Sequence, residues 1–315
     1  MSPVAGSTVP PAVGALAVAV ALEAALGEPP ERLHPVARFG AAVTPFDRDW
    51  QRPRAVGVVV ALCAPLGFAA VYAVPVALAP GAVGVALAGG LLFTAVSLRM
   101  LLGVAEETLV AIESDGDDPT RPIRALVGRD TDGLSAGELR SGVVESLAEN
   151  LSDGLVAPLA AFVAGAAISV PVAVGAAAWV KGVNTLDSMF GYREKPLGWA
   201  SARLDDAVMY VPARLTAGLI AATAQTPSVL IAAGRWARAP ASPNAGWPMA
   251  TLAGALGVQL RKPDRYALNP ASELPTDDHA RRGLQVVRAA GVLAIAAAGV
   301  CVWLAAGLWE AIPWW

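Results

Sequence analysis

Five stretches of this chain contain no Asp, Glu, Lys, Arg or His: residues 55–79, 81–98, 155–180, 215–234 and 289–309. About 20 apolar residues cross a bilayer core as a helix, so each run is long enough or nearly so. Only 16% of the 315 residues are charged and 55% are hydrophobic, against about 25% charged residues in soluble domains. Peptide groups in hydrocarbon need partners within their own segment, which makes helices of such runs. The expectation is an all-α, polytopic integral membrane protein, one membrane domain over residues 1–315. Residues 10–26 add a first helix, with Glu23 unusually placed near its end. The total is about five to six hydrophobic segments.

The basic residues orient these segments. All 23 Lys and Arg lie between Arg32 and Arg288. Because cytoplasmic loops collect Lys and Arg, both termini are expected outside and loop 27–54, with five Arg, inside. Residues 55–79 and 81–103 then form a hairpin turning at Pro80-Gly81. A single crossing by 155–180 would strand Lys181, Arg193, Lys195 and Arg203 outside. Gly165 and Pro171 offer a turn between two half-length, re-entrant helices, which is tolerated where protein or water covers the backbone. Residues 208–233, with Pro212 and Pro227, read the same way, and only 286–309 exits. Polar segments 104–154, 181–207 and 234–285 thereby share one cytoplasmic face. Residues 114–133 and 263–282 read as loops.

A net charge of −3 with no basic run predicts no nucleic-acid partner. Cys63 and Cys301 lie inside apolar runs and imply no disulfide framework. No GxxxxGK[ST], HExxH or CxxC occurs, so neither a P-loop nor a zinc site is expected.

The chemistry sits in the polar segments. Residues 136–154 read as a helix stopped by Gly154. Glu145, Glu149 and Asp153, spaced i, i+4, i+8, lie along one face. That stripe reads equally as a divalent-cation site, since Mg²⁺ prefers carboxylate oxygens, or as a solvated acidic face. Asn184 is a candidate helix cap with Asp187 in the first turn. Arg203 suits a helix ion pair with Asp206, and Arg214 suits snorkelling to the interface. Yet Asp187, Asp205, Asp206 and Arg214 all fall near a membrane boundary. A charge at membrane depth costs about 2.5–3.5 kcal/mol or more and usually marks function. His34 reads as a loop residue, and Ser242-Pro-Asn-Ala-Gly-Trp-Pro248 as a turn opening a short helix.

Six motifs then occur in order: Val127-Gly-Arg-Asp-Thr131; Glu145-Ser-Leu-Ala-Glu-Asn150 with Asp153-Gly154; Asn184-Thr-Leu-Asp-Ser-Met189 with Gly191-Tyr192; Gly198-Trp-Ala-Ser-Ala-Arg-Leu-Asp-Asp206; Pro212-Ala-Arg-Leu-Thr216; and Ser242-Pro-Asn-Ala-Gly-Trp247. With them the chain, from about residue 20 to 266, resembles the adenosylcobinamide-phosphate synthase family of cobalamin biosynthesis. The resemblance implies an ATP-dependent amide ligase joining adenosylcobyric acid, a corrinoid, to aminopropanol phosphate or aminopropanol. It implies Mg²⁺ with ATP as co-substrate, a cell-membrane setting, and other membrane enzymes of the pathway as partners. By the same resemblance Glu145, Glu149 and Asp153 would hold the metal. Arg129, Asp130, Arg214 and Asn150 would contact nucleotide, with Arg203 also reaching phosphate. Asp187, Asp205, Asp206 and Arg203 would act in catalysis, and Asn184, Ser242, Asn244 and His34 would position substrate. The chain departs from the family in carrying Glu23 and Glu28 where Asp is usual. It also has Pro240-Ala241 in place of a His before Ser-Pro-Asn, and Met249 in place of an acid. Two readings compete: a cation or solute transporter using intramembrane carboxylates, and a non-catalytic scaffold for the pathway.

Overall fold

The computed structural model describes residues 9–114, 133–192 and 194–311; Arg129 and Asp130 lie outside them. The chain is helical apart from one small hairpin. Helix α1 is Pro11–Leu26, α2 Pro35–Val43, α3 Pro53–Leu78, α4 Gly81–Phe93 and α5 Leu98–Glu113. Then come α6 (Ala136–Leu151), α7 (Ala157–Ala166), α8 (Val170–Phe190), α9 (Trp199–Val208), α10 (Tyr210–Thr223), α11 (Val229–Trp236) and α12 (Gly246–Leu256). Strands β1 (Leu260–Lys262) and β2 (Tyr266–Leu268) pair antiparallel with Leu260 opposite Leu268, and α13 spans Asp277–Ala311.

Among the described residues four helical stretches are long and apolar enough to cross a membrane: Pro53–Leu78, Gly81–Glu113, Ala136–Ala166 and Asp277–Ala306. Helix α1 has 16 residues, about 24 Å at 1.5 Å per residue, and falls short of a core about 30 Å thick. Val59, Leu62, Leu66, Val74 and Leu78 of α3 and Val292, Val300 and Trp303 of α13 are exposed. An apolar surface of this kind belongs against lipid. Inside, Tyr72 is fully buried and its hydroxyl lies 2.6 Å from Thr94 Oγ1, while Phe39 and Phe68 stack at 4.6 Å.

The hairpin of α3 and α4 turns at Ala79–Pro80 as the sequence predicts. Four expectations are corrected. Residues 81–103 are not one helix but break at Thr94–Ser97 between α4 and α5. Gly154 does not stop α6, because helix continues through a π turn at Ser152–Val156 into α7. The predicted turn near Gly165–Pro171 does occur, at 167–169, but the helix before it runs on from Ala136 and is therefore not half-length. Lastly, 263–282 is no plain loop, since it holds β2 and the start of α13.

Two of these corrections explain each other. Pro158 has no N–H to give the Gly154 carbonyl, so an uninterrupted α-helix would orphan that oxygen. The π turn shifts the pattern, with Ala157 N–H donating to Ser152 O. Gly154 O instead accepts from Ser97 N–H at 3.0 Å, one of the free donors at the start of α5. The neighbouring donor, Arg99 N–H, is taken by the Glu23 carboxylate, and the Arg99 guanidinium donates to Ala24 O at 2.6 Å. Glu23 is thus a buried acceptor closing a broken helix. Glu23→Leu should destabilise the protein by about 1–3 kcal/mol through the unsatisfied donor, and Glu23→Gln, which keeps an acceptor, by less. Thermal unfolding in detergent measures this, and equal losses for the two variants would contradict the assignment.

Candidate active site

A polar cleft opens where α6, the π turn, α8, α9, the 241–245 loop and the hairpin converge. It has three cavities that share walls. The hairpin-side cavity, about 210 Å³, is bounded by Glu145, Glu149, Asn150, Asp153, Lys262 and Tyr266 among others. A central cavity of about 100 Å³ shares Glu149, Asp153, Asn184 and Ser188 with it. The outer cavity, about 450 Å³, shares Asp187 and Ser242 with the central one and reaches Arg54, Trp199 and Arg203.

The stripe on α6 delivers its carboxylates as the helical period predicts, but they meet different surroundings. Glu145 is buried and engaged on both oxygens: Ser141 Oγ donates at 2.9 Å and Tyr266 Oη at 2.7 Å. Glu149 and Asp153 face the central cavity. Asn184 Nδ2 donates to Asp153 at 3.1 Å; it sits within α8, not at its start, so it is no helix cap. Asn150 turns back on its own helix, donating to Ser146 O and Oγ, while lining the hairpin-side cavity.

On the opposite wall, Ser242 Oγ accepts from Asn244 N at 3.2 Å and Ala245 N at 3.3 Å, shaping the turn before α12. Asn244 is buried, donates to Asp206 O at 2.7 Å and accepts from Arg214. Arg214 lies 3.8 Å over the Tyr210 ring, so it clamps α10 to the 242–245 turn. Arg203 makes the expected pair with Asp206 at 3.5 Å and is mostly exposed. His34 is not brought to the cleft walls. Its Nδ1 accepts from Val36 N–H to cap α2, and Nε2 faces Glu28 at 3.8 Å. Burial, then the charge of Lys181, lowers the His34 pKa, so near neutral pH this contact is not an ion pair.

Among the described residues the central cavity is walled by four carboxylates, Glu149, Asp153, Asp187 and Asp205, and by no Lys, Arg or His. Asp205 is 8% exposed, and its Oδ1 has no hydrogen-bond partner among the described residues. Burial first, then the charges of Asp153 and Asp187, push its carboxyl up to about 8. Among the described residues no three His, Cys, Asp or Glu side chains form a ready metal cage. The donor set still fits Mg²⁺, which is commonly held by one or two carboxylates together with substrate phosphates. Sequence reasoning missed Tyr266, Lys262 and Ser188. The first two come from a hairpin that lies over 100 residues from α6 in the chain.

The CobD/Cbib protein family profile matches residues 16–306. The chain is 37% identical over 319 residues to the cobalamin biosynthesis protein CobD of Rhodobacter capsulatus, covering 94% of this chain and 98% of that one. It is 34% identical over 277 residues to a probable cobalamin biosynthesis protein CobD of Methanothermobacter thermautotrophicus, covering 81% and 86%. With the CobD protein of Geobacter metallireducens it shares 37% over 272 residues, covering 81% and 83%. No solved structure matches.

Asp205 takes up a proton on folding between its ordinary value of 3.8 and about 8. In that window the native state binds more protons than the unfolded chain, so stability falls as pH rises and levels off above about 8. Asp205→Asn removes this residue's share of the dependence, while Asp187, its carboxyl raised to about 6 by burial and the charge of Asp206, keeps its own. Without divalent cations the variant should outlast the parent by a margin that grows with pH, on the order of 1–3 kcal/mol at its largest. Unfolding temperatures across a pH series test this; a margin that shrinks with rising pH would refute it.

Proposed function

The chain belongs to the CobD/Cbib family of cobalamin biosynthesis proteins, and on that premise we propose that it is an ATP-dependent amide ligase. It joins adenosylcobyric acid, or cobyric acid, to aminopropanol phosphate or aminopropanol. The observation that carries this reading is the central cavity, where four carboxylates converge and no Lys, Arg or His among the described residues lines the wall, the charges of Lys181 and Lys262 acting on Asp153 and Glu149 from outside it.

A carboxylate does not condense with an amine unaided, because oxide is a poor leaving group. In the proposed route a cobyric acid carboxylate oxygen attacks the γ-phosphorus of ATP and ADP departs. The amine nitrogen then attacks the acyl phosphate carbon, inorganic phosphate leaves, and one proton passes to a base. Glu149, Asp153 and Asp187 would hold Mg²⁺ on the nucleotide phosphates. Bound there, the metal would neutralise phosphate charge as it develops. Asp205, with its pKa near 8, is matched to accept a proton from an ammonium group. Asn184 fixes Asp153, and the Ser242–Asn244 turn shapes the opposite wall. Glu145, held by Ser141 and Tyr266, anchors the hairpin rather than meeting metal directly. Arg203 stands at the rim of the outer cavity for phosphate, and Arg214 acts indirectly by holding Asn244. The cleft faces the cytoplasm of the cell membrane in this reading, with both termini outside.

Purified protein in detergent with ATP, Mg²⁺, cobyric acid and either amine should yield a corrinoid mass gain of one amide, read by mass spectrometry. Asp153→Asn and Asp205→Asn should each lower turnover at least about 100-fold, the scale of losing an acid–base group, with the fold retained. A scaffold or transporter would give no product from the intact parent, and that result would defeat the ligase.

A further inference from the structure

Two glycines bring distant chemistry to the outer cavity. At Gly57 on α3, an added Cβ would lie 2.0 Å from Leu197 O, and at Gly198 one would lie 1.6 Å from Phe190 O. Side chains at either position would force the elements apart. The first contact seats the N-terminal end of α3, and hence Arg54, against the turn before α9. The second folds that turn onto the end of α8, which delivers Trp199 and Tyr192 to the same cavity. Both aromatics remain about half exposed, at 50% and 55%.

Three cations border this cavity: Arg54, Lys195 and Arg203. Lys195 is engaged by Asp47 at 2.7 Å and Arg203 by Asp206 at 3.5 Å. Arg54 makes no ion pair among the described residues. Arg54 is thus the cation left to meet an anionic ligand, and the half-exposed aromatic faces beside it offer a stacking surface. The hairpin-side cavity has the opposite character: about 210 Å³, with Glu145, Glu149 and Asp153 against a single Lys262. A polyanion is repelled there.

Resting on the ligase reading above, we propose that the outer cavity is the nucleotide subsite. The base of ATP stacks on Trp199, Arg54 pairs with its phosphates, and the terminal phosphoryl group reaches past Asp187 into the acidic centre. The hairpin-side cavity then receives the small amine, whose ammonium suits its acidic wall. A corrinoid stacked on the same aromatics is the competing occupant. Its single free carboxylate makes less use of three cations.

The test is equilibrium binding of Mg²⁺–ATP and of cobyric acid, each alone, to the full-length protein in detergent. Trp199→Ala and Arg54→Gln should each weaken ATP about tenfold, the scale of one lost base stack or one ion pair, and leave cobyric acid unchanged. Trp199→Phe should keep most of the ATP affinity. Loss of cobyric acid with ATP retained would overturn the proposal and assign the cavity to the corrinoid. Unchanged binding of both ligands would also overturn it, as would equal loss of both by a variant with the parent's unfolding temperature. A parent protein that binds neither ligand would instead defeat the ligase reading itself.

Discussion

The carbonyl of Gly154 has no partner in its own helix, and much of the polar centre depends on where it finds one. In a bilayer a peptide group without a partner costs several kcal/mol, so a helix carrying Pro158 must either kink or find an external donor. Here the donor is Ser97 N–H, itself free because α5 starts at Leu98 after a break. Glu23 takes the next donor, at Arg99. Three irregularities that would each be costly alone, a π turn, a broken span and a buried glutamate, are satisfied by one another. The consequence is positional. The π turn holds Asp153 at the floor of the cleft, and the Ser97 bond ties that floor to a second membrane element.

Around this frame the acids are set where folding alone would not place them. Four carboxylates about one small cavity repel, and Asp205 Oδ1 lacks even a hydrogen bond. Neighbouring groups relieve the repulsion only in part: Asn184 donates to Asp153, Lys181 and Lys262 lie near Asp153 and Glu149, and Lys195 and Arg203 are paired with Asp47 and Asp206. A centre left this electronegative is stabilised by what binds it. This is the usual trade at functional sites, where stability yields to affinity for a ligand. The contrast with Glu145 is instructive, because its partners Ser141 and Tyr266 leave it little to offer a metal.

What the sequence makes legible follows from short-range rules. Three of the charge-free runs, 55–79, 81–98 and 289–309, coincide with candidate spans, whereas 155–180 is split by a turn and 215–234 forms short helices; Pro80-Gly81 marks the hairpin turn. The i, i+4 spacing aligns Glu145, Glu149 and Asp153, and the motifs gather Asn184, Asp187, Asp205, Ser242 and Asn244 into one cleft. What is not legible depends on long-range geometry. A glycine normally reads as a helix stop, and nothing local shows that Gly154 is held in helix by Ser97. The β-hairpin has strands of three residues, too short for a period to register, yet it supplies Tyr266 and Lys262. Gly57 and Gly198 carry no motif signal that they sit against Leu197 and Phe190. The resemblance assigns His34 to substrate, whereas the structure places it as the cap of α2, outside the walls of the three cavities.

The position after Trp247-Pro248 shows how one substitution propagates through such a centre. The resemblance implies an acid there, and this chain has Met249, buried on α12 with its sulfur 3.9 Å from Tyr266 Oη. An acid at that place would compete with Glu145 for the tyrosine hydroxyl and add a fifth negative charge close to the cleft. With methionine, whose sulfur is at most a weak acceptor, Tyr266 donates to Glu145 at 2.7 Å. The hairpin is then held by an oxygen of α6, and Ser141 Oγ accepts from Arg261 N–H at 2.7 Å as a second tether. Since Lys262 follows directly on that strand, the same two bonds set the wall of the hairpin-side cavity. The change at 249 therefore bears on the shape of the small cavity more than on the charge of the central one.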